Sequence, residues 1–302
     1  MDAAPVIAAD RLTKYYGKTR GIEDLSFDVR AGEVFGFLGP NGAGKSTTIR
    51  TMLDFLRPTS GRVRVFGLDP GDEGPEIRRR VGYVPGEFGL YERLTGKEYL
   101  ETFASFRRGT GRDGIGPLAE RLDLDLSMRI RELSHGNRRK LALIQAFMHA
   151  PDLLVMDEPT QGLDPLMQLE FAAIVDEARA RGATVFLSSH VLPEVERLCD
   201  RVAIIRAGRL VTVDDVGELK SKALRRVEFH FESPVGAERF ASLASVIEAQ
   251  AHGDTVAMTV RGRLDEVIKE AARHPVVNVE THEPSLEDVF LEAYRNDEEG
   301  RP

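Results

Sequence analysis

The sequence lacks most features of a secreted or membrane-spanning chain. It has one cysteine, Cys199, so no disulfide can form within the chain. No apolar run approaches the roughly 18 residues that a membrane-spanning helix needs. The first ten residues have neither a basic stretch nor a long apolar one, so we expect no signal peptide. These absences fit a protein of a reducing compartment that reaches a membrane only through a partner.

An excess of basic residues is also missing. The 41 Lys and Arg residues are outnumbered by 49 Asp and Glu, which gives a net charge of -8. Nucleic-acid binders usually present a basic face, so we expect no nucleic-acid partner. The length of 302 residues, with 42% hydrophobic, is sufficient for one large domain and a smaller one.

Short apolar runs at 34–38, 153–156 and 184–187 predict buried strands of a parallel sheet that is covered on both faces. Alternating polar and apolar residues at 26–29 and 62–66 predict a half-exposed antiparallel edge. Helical patterns occupy the spaces between these strands. The first part of the chain is therefore predicted to be an α/β domain.

The strand pattern is interrupted once and then changes character. From about 87 to 150 helical spacing and glycine-rich linkers replace it, which predicts a helical insertion. After residue 216 the order of elements is βαββαβ, as in ferredoxin-like domains, followed by a helix over 286–294. We therefore predict an α/β domain at 1–216 and a small α+β domain at 217–302.

One glycine-rich loop follows a predicted strand and precedes a predicted helix. Its residues fit the phosphate-binding pattern G-x-x-x-x-G-K-[ST] and are Gly39, Pro40, Asn41, Gly42, Ala43, Gly44, Lys45 and Ser46, with Thr47 next. Glycines let backbone N–H groups surround phosphate oxygens, and the helix N-terminus adds its positive end. In such a loop Lys45 contacts the β- and γ-phosphates of a nucleotide, and the Ser46 hydroxyl ligates Mg²⁺.

A second candidate site is the apolar strand that ends in Asp157 and Glu158. Asp157 is placed to hold the metal ion, directly or through water. Glu158 is then placed to polarise an attacking water molecule. A charged turn at the end of a strand is the alternative, but the accompanying phosphate loop favours ATP hydrolysis.

Further motifs resemble the ATP-binding cassette of ABC transporters, across about 6–215 and in the family's order. Leu133 to Asn137 is similar to the signature LSGGQ, and Gly162 to Asp164 resembles part of the D-loop. His190 matches the switch histidine, and Tyr16 the aromatic residue that stacks on adenine. The segment Ser285–Phe290 resembles the tail of subunits that serve ABC-2-type exporters. The resemblance implies a P-loop NTPase cassette and an ATPase.

The resemblance also implies a homodimer with ATP at its interface. Ser134 and Gly136 of one copy would contact the γ-phosphate held by the other, with Asp164 nearby, and His190 would act beside Glu158. Partners would be integral membrane permease subunits, at the cytoplasmic face of the cell membrane, and transport would be export. Three residues depart from the family pattern: Gly86 stands where a glutamine is usual, His135 replaces a glycine, and Asn137 replaces a glutamine.

Other P-loop classes fit less well. A GTPase should carry an N-K-x-D motif, a chromosome-maintenance ATPase needs a long coiled coil, and a ribosome-associated relative normally has two cassettes. A binding module without catalysis would not need Glu158 and His190 together. The main alternative is a single-cassette ATPase that drives a soluble process, and co-purification with a polytopic membrane protein would distinguish the two. The transported substrate is not readable from this sequence.

Overall fold

The computed structural model describes residues 4–87, 89, 91–222 and 224–282. The chain divides into two compact units, Met1–Val213 and Asp214–Pro302. Phe88, Leu90, the predicted helix at 286–294 and the segment at 285–290 lie outside the described residues. None of the helices in the described ranges is both long and apolar enough to cross a membrane.

The first unit is built on a six-stranded sheet. Its strands are β3 (Val34–Leu38), β5 (Val81–Val84), β6 (Leu153–Asp157), β7 (Thr184–Ser189), β8 (Arg201–Arg206) and β9 (Arg209–Asp215). Their order in the sheet is β5-β6-β7-β3-β8-β9, and β5, β6, β7, β3 and β8 pair in parallel. Every residue of β3, β6 and β7 is buried, as expected for central strands with both faces covered.

Antiparallel strands are present as predicted, but they form a separate sheet. The strands β1 (Ile7–Tyr16), β2 (Thr19–Val29) and β4 (Ser60–Val65) lie in the order β2-β1-β4. Phe27 of β2 stacks on Phe35 of β3, with ring centroids 5.9 Å apart, and Phe35 stacks on Phe186 of β7 at the same distance. Aromatic packing thus joins the two sheets in one core.

Helices cover the parallel sheet. They are α1 (Lys45–Met52), α2 (Pro70–Arg80), α3 (Gly96–Phe106), α4 (Arg112–Arg121), α5 (His135–Phe147), α6 (Pro165–Ala180) and α7 (Leu192–Leu198). The described residues between β5 and β6 contain helices and no strand, with a short 3-10 helix at Ile130–Glu132. A capping box between Thr95 and Glu98 begins α3, since each side chain accepts a hydrogen bond from the other's backbone N–H.

Two glycines predicted to lie in linkers are helical. Gly114 and Gly116 fall inside α4. A Cβ atom at Gly114 would lie 2.5 Å from the Met148 carbonyl oxygen, so the missing side chain lets α4 approach the end of α5. Glycine serves close helix packing here, which sequence spacing alone does not distinguish from a linker.

The second unit is an antiparallel four-stranded sheet with short helices. Its elements are α8 (Val216–Lys222), β10 (Leu224–Phe231), α9 (Glu238–Ala241), β11 (Val246–His252), β12 (Thr255–Arg261), α10 (Asp265–Ala271) and β13 (Val276–His282). The strand order is β11-β12-β10-β13. Phe229, Phe231 and Phe240 form its aromatic core, with centroids 6.1 to 6.4 Å apart.

Candidate functional site

The sheet order brings the predicted catalytic segments together. The strands β6, β7 and β3 are neighbours, and parallel strands end at the same edge of a sheet. The glycine-rich loop follows β3, the pair Asp157–Glu158 lies at the end of β6, and His190 follows β7. Ligands of open α/β sheets bind at this edge.

The glycine-rich loop leads directly into α1. Gly42 and Gly44 have φ angles of 79° and 111°, which side-chain-bearing residues rarely adopt. At Gly44 a Cβ atom would also lie 2.8 Å from the Gly21 carbonyl oxygen. The loop conformation therefore requires glycine at both positions, and it places the start of α1 at the base of the site.

The two acidic residues have different surroundings. Asp157 is 2% exposed, and the Ser188 hydroxyl donates to its Oδ1 over 2.6 Å. Glu158 lies just beyond the strand with a φ of 52°, and its backbone N–H donates to the Ser188 carbonyl oxygen. Left-handed backbone at a residue with a side chain is costly and concentrates at functional sites. The turn directs the Glu158 carboxylate away from Asp157 and towards Lys45.

Three predicted catalytic side chains form a continuous line. The Lys45 Nζ atom lies 3.1 Å from Glu158 Oε1, and His190 Nδ1 lies 2.8 Å from Glu158 Oε2. Lys45 also donates to the carbonyl oxygens of Gly39 and Pro40, over 2.6 and 3.2 Å. The carboxylate is thus held from both sides by basic side chains. This arrangement fixes its orientation at the edge of the loop.

A cleft of about 370 Å³ lies above the glycine-rich loop. Its lining contains many of the predicted binding residues and comprises Tyr16, Thr19, Arg20, Gly21, Asn41, Gly42, Gly44, Lys45, Ser46, Thr47 and Glu158. The Tyr16 ring is half exposed, and its hydroxyl lies 3.4 Å from the Thr47 hydroxyl. A cleft with an accessible aromatic face at one end and a loop of backbone N–H groups at the other suits a nucleotide.

Two of the predicted site residues have side chains that suit magnesium. Ser46 and Asp157 offer a hydroxyl and a carboxylate, the hard oxygen ligands that Mg²⁺ prefers. Asp157 is buried, and its carboxylate accepts from the Ser188 hydroxyl. This pair of oxygen donors therefore fits a bound divalent cation.

The remaining predicted residues lie outside this cleft. Ser134 is the N-cap of α5, and its Oγ atom accepts from the Asn137 backbone N–H over 3.2 Å. The helix begins at His135, so Gly136 lies in its first turn. Gly136 approaches Gly162 closely, and Asp164 is the N-cap of α6. These residues form a second surface patch on the same unit.

Two further residues near the site were not predicted from the sequence. Arg139 of α5 is fully buried and donates to backbone carbonyl groups beside Asp157. Glu194 of α7 accepts from the Ser189 hydroxyl over 2.5 Å, and burial raises the pKa of this carboxyl. Neither residue belongs to a motif recognised above, and their partners come from other parts of the chain. Only the fold could identify them.

The chain is similar to several known proteins. The family model described as ABC transporter matches residues 22–161. The bacitracin transport ATP-binding protein of Bacillus licheniformis is 32% identical, covering 95% of this chain and 96% of that protein. The daunorubicin/doxorubicin resistance ATP-binding protein of Streptomyces peucetius is 35% identical, covering 94% and 91%. These similarities extend over nearly the whole chain and include the second unit.

A solved structure agrees in fold. It is described as an ATP-binding subunit of an ABC transporter, and it superposes with a TM-score of 0.67 at 31% identity. The match covers 71% of this chain and 92% of that structure.

Proposed function

Since this chain belongs to the ATP-binding subunits of ABC transporters, an ATPase family, we propose that its hydrolysis of ATP drives export through a separate membrane permease. Relatives named for bacitracin transport and for daunorubicin/doxorubicin resistance support the export direction. The permease would hold the chain at the cytoplasmic face of the membrane.

The observation that carries this proposal is the line Lys45–Glu158–His190 at the end of the phosphate-binding loop. Glu158 would accept a proton from the attacking water, because its carboxylate lies at the end of the loop and contacts Lys45. His190 would keep that carboxylate in place through its 2.8 Å contact. Lys45 would bind the terminal phosphates of ATP with its charge.

The cleft gives each remaining residue a role in binding. Tyr16 would stack on the adenine ring at the accessible end, and the backbone N–H groups of the loop would bind phosphate oxygens. Ser46 and Asp157 would hold Mg²⁺, which when bound neutralises phosphate charge. The Ser188 hydroxyl would keep Asp157 in the orientation needed for this contact.

We further propose that two copies associate to complete each site. Ser134 and Gly136 lie at the exposed start of α5, outside the cleft of their own chain. A serine hydroxyl and a helix N-terminus together suit a phosphate group, so a second copy could offer them to the bound nucleotide. Asp164, at the start of α6, would lie at the same interface.

For the permease, we propose a docking surface at the helical insertion. A cleft of about 530 Å³ is lined by aromatic side chains including Phe55, Tyr83, Phe103 and Phe106, with arginines at its border. Phe106 is 75% exposed, and exposed aromatic clusters mark interaction surfaces. Tyr91 of the same insertion is also exposed. Phe106→Ala with Tyr91→Ala should abolish stimulation of ATPase activity by the permease without changing the basal rate.

For the second unit, we propose a ferredoxin-like domain that begins near residue 217. Its βαββαβ element order and the strand order β11-β12-β10-β13 support this assignment. The helical insertion of the first unit is likewise assigned to about 87–150.

The decisive experiment is Glu158→Gln, measured beside Glu120→Gln on the exposed surface of α4 as a control. Loss of a positioned base typically lowers turnover by ~10²–10⁴. We expect that loss with ATP binding retained and with an ATP-dependent dimer in size-exclusion chromatography. Turnover close to wild type in Glu158→Gln would refute the assignment. The alternative, a soluble process driven by one cassette, predicts that no polytopic membrane protein co-purifies with the chain.

A further inference from the structure

Among the residues that the structure describes, Arg139 has the largest fully buried side chain, and the sites above give it no role. It lies on α5, the helix capped by Ser134, and its exposed fraction is 0%. Arginine is almost never fully buried unless its guanidinium group is paired. Its contacts therefore indicate why the charge is retained inside the fold.

The guanidinium group bridges three separate segments. Nη1 donates to the Pro85 carbonyl oxygen over 2.8 Å and lies 3.4 Å from the Asp157 carbonyl oxygen. Nη2 donates to the Gly86 carbonyl oxygen over 2.9 Å and lies 3.5 Å from Gln161 Oε1. One planar group thus joins α5 to the segment after β5, to the end of β6 and to the turn that follows it.

The position of Gly86 gives this bridge its significance. A Cβ atom at Gly86 would lie 2.9 Å from Asp157 Oδ2, so the backbone of residue 86 rests against the carboxylate. Gly86 has no side chain with which to bind either neighbour. Arg139 binds the backbone of Gly86 as well, through its carbonyl group. The carboxylate of Asp157 is therefore confined between Ser188 and a segment whose place Arg139 determines.

We propose that Arg139 is a positioning residue that links the Ser134 end of α5 to the Asp157 carboxylate. The inference rests on the proposed function, in which Ser134 contacts nucleotide across the dimer and Asp157 holds Mg²⁺. A displacement of α5 moves the guanidinium group, and with it the carbonyl groups of Pro85, Gly86 and Asp157. Geometry at the metal ligand then depends on whether the helix is engaged by the second copy.

Lysine is the informative substitution. Arg139→Lys keeps the charge but loses the planar fork that binds two carbonyl groups at once. The matched control is Arg138→Lys, because Arg138 donates only to Leu133 and Arg131, within its own segment. Both variants carry the same chemical change at adjacent positions. The two hydrogen bonds of Arg138 involve none of the three segments that Arg139 bridges.

Two measurements separate positioning from general stability. The first is ATPase activity of the full-length protein as a function of Mg²⁺, with ATP affinity measured separately by fluorescent-nucleotide titration. We expect Arg139→Lys to lower kcat about tenfold, since small misplacements of reacting groups have effects of this order. The half-saturating Mg²⁺ concentration should rise several-fold, with unchanged ATP affinity and an unaffected Arg138→Lys control. The second is amide hydrogen exchange at Gly86 and Glu87 without nucleotide, which should be faster in Arg139→Lys only.

A lower melting temperature with unchanged kcat and Mg²⁺ dependence would overturn the proposal and leave Arg139 with a structural role. Equal exchange at Gly86 and Glu87 in the two variants would also overturn it. A wild-type protein without ATPase activity would instead refute the proposed function, and the exchange measurement would still decide whether Arg139 holds this segment.

Discussion

The glycine at position 86 provides the sharpest test of the site geometry. Related cassettes usually have glutamine there, so a motif-based argument predicts that Gly86→Gln improves catalysis. The structure predicts the opposite. The added Cβ atom would lie 2.9 Å from Asp157 Oδ2 and 3.2 Å from its Cγ atom. Asp157 is 2% exposed and already bonded to Ser188, so it has little space in which to move.

The expected loss of turnover follows from the overlap between the added Cβ atom and the Asp157 carboxylate. Ordinary van der Waals contact begins near 3.4 Å, so the Asp157 carboxylate must shift by about half an ångström. A misplacement of about 1 Å can cost about 10²-fold in rate, which suggests about tenfold here. We expect this loss in Gly86→Ala, which adds only the Cβ atom, and at least the same loss in Gly86→Gln. ATP affinity should change little, because Gly86 does not line the nucleotide cleft.

The assay is steady-state ATP hydrolysis across a Mg²⁺ series. Gly89→Ala is the control, since a Cβ atom there would meet none of the described residues within 4 Å. The half-saturating Mg²⁺ concentration should rise for both substitutions at Gly86 and stay constant for the control. A Gly86→Gln variant faster than wild type would refute the steric argument and show that Asp157 accommodates the side chain.

Three further predictions concern single side chains. Lys45→Ala should weaken ATP binding as well as turnover, because it removes charge from the bound phosphates; unchanged affinity in a nucleotide titration would contradict the phosphate-loop assignment. If the exposed Glu87 enters the metal shell, Glu87→Ala should raise the Mg²⁺ requirement several-fold, whereas an unchanged requirement would make it a surface charge. Burial and the nearby Arg107 lower the pKa of His149 from 6.5 to about 4. On acidification the imidazole is therefore protonated in the unfolded chain at a higher pH than in the folded chain. The free energy of unfolding consequently declines as the pH falls from 6.5 towards 4. His149→Gln should flatten that part of the urea midpoint's pH dependence, and an identical slope would show that other groups cause it.

The segments that meet at the candidate site were predictable because each is encoded locally. The glycine-rich loop, the Asp157–Glu158 pair and His190 each follow a run of residues whose apolar character predicts a buried strand. Parallel pairing then places the three strand ends at one edge. Sequence order alone thus indicates which residues share a site, although it gives no distances.

Residues that act over long sequence separations were not predictable. Arg139 binds Pro85 and Gly86, 54 and 53 positions earlier in the chain, and no periodic pattern connects these residues. A helical arginine is ordinarily expected at the surface, so its burial gives no signal in the sequence. The prediction that Gly114 and Gly116 lie in linkers was wrong for a related reason. A glycine that permits close packing has the same sequence signature as one that ends a helix.

The Glu158 carboxylate and the phosphates of an incoming nucleotide would compete for the same Lys45 side chain. The lysine that we propose binds the terminal phosphates already holds a carboxylate, 3.1 Å away and largely shielded from water. Incoming nucleotide therefore has to exchange one anion for another, and the intrinsic affinity of the loop is partly masked. Nucleotide that displaces Glu158 from Lys45 would free the same carboxylate to contact water. Nucleotide binding and activation of the general base would therefore occur together. Neutralising Glu158 should consequently tighten the binding of a non-hydrolysable ATP analogue, an effect that slower turnover alone does not produce.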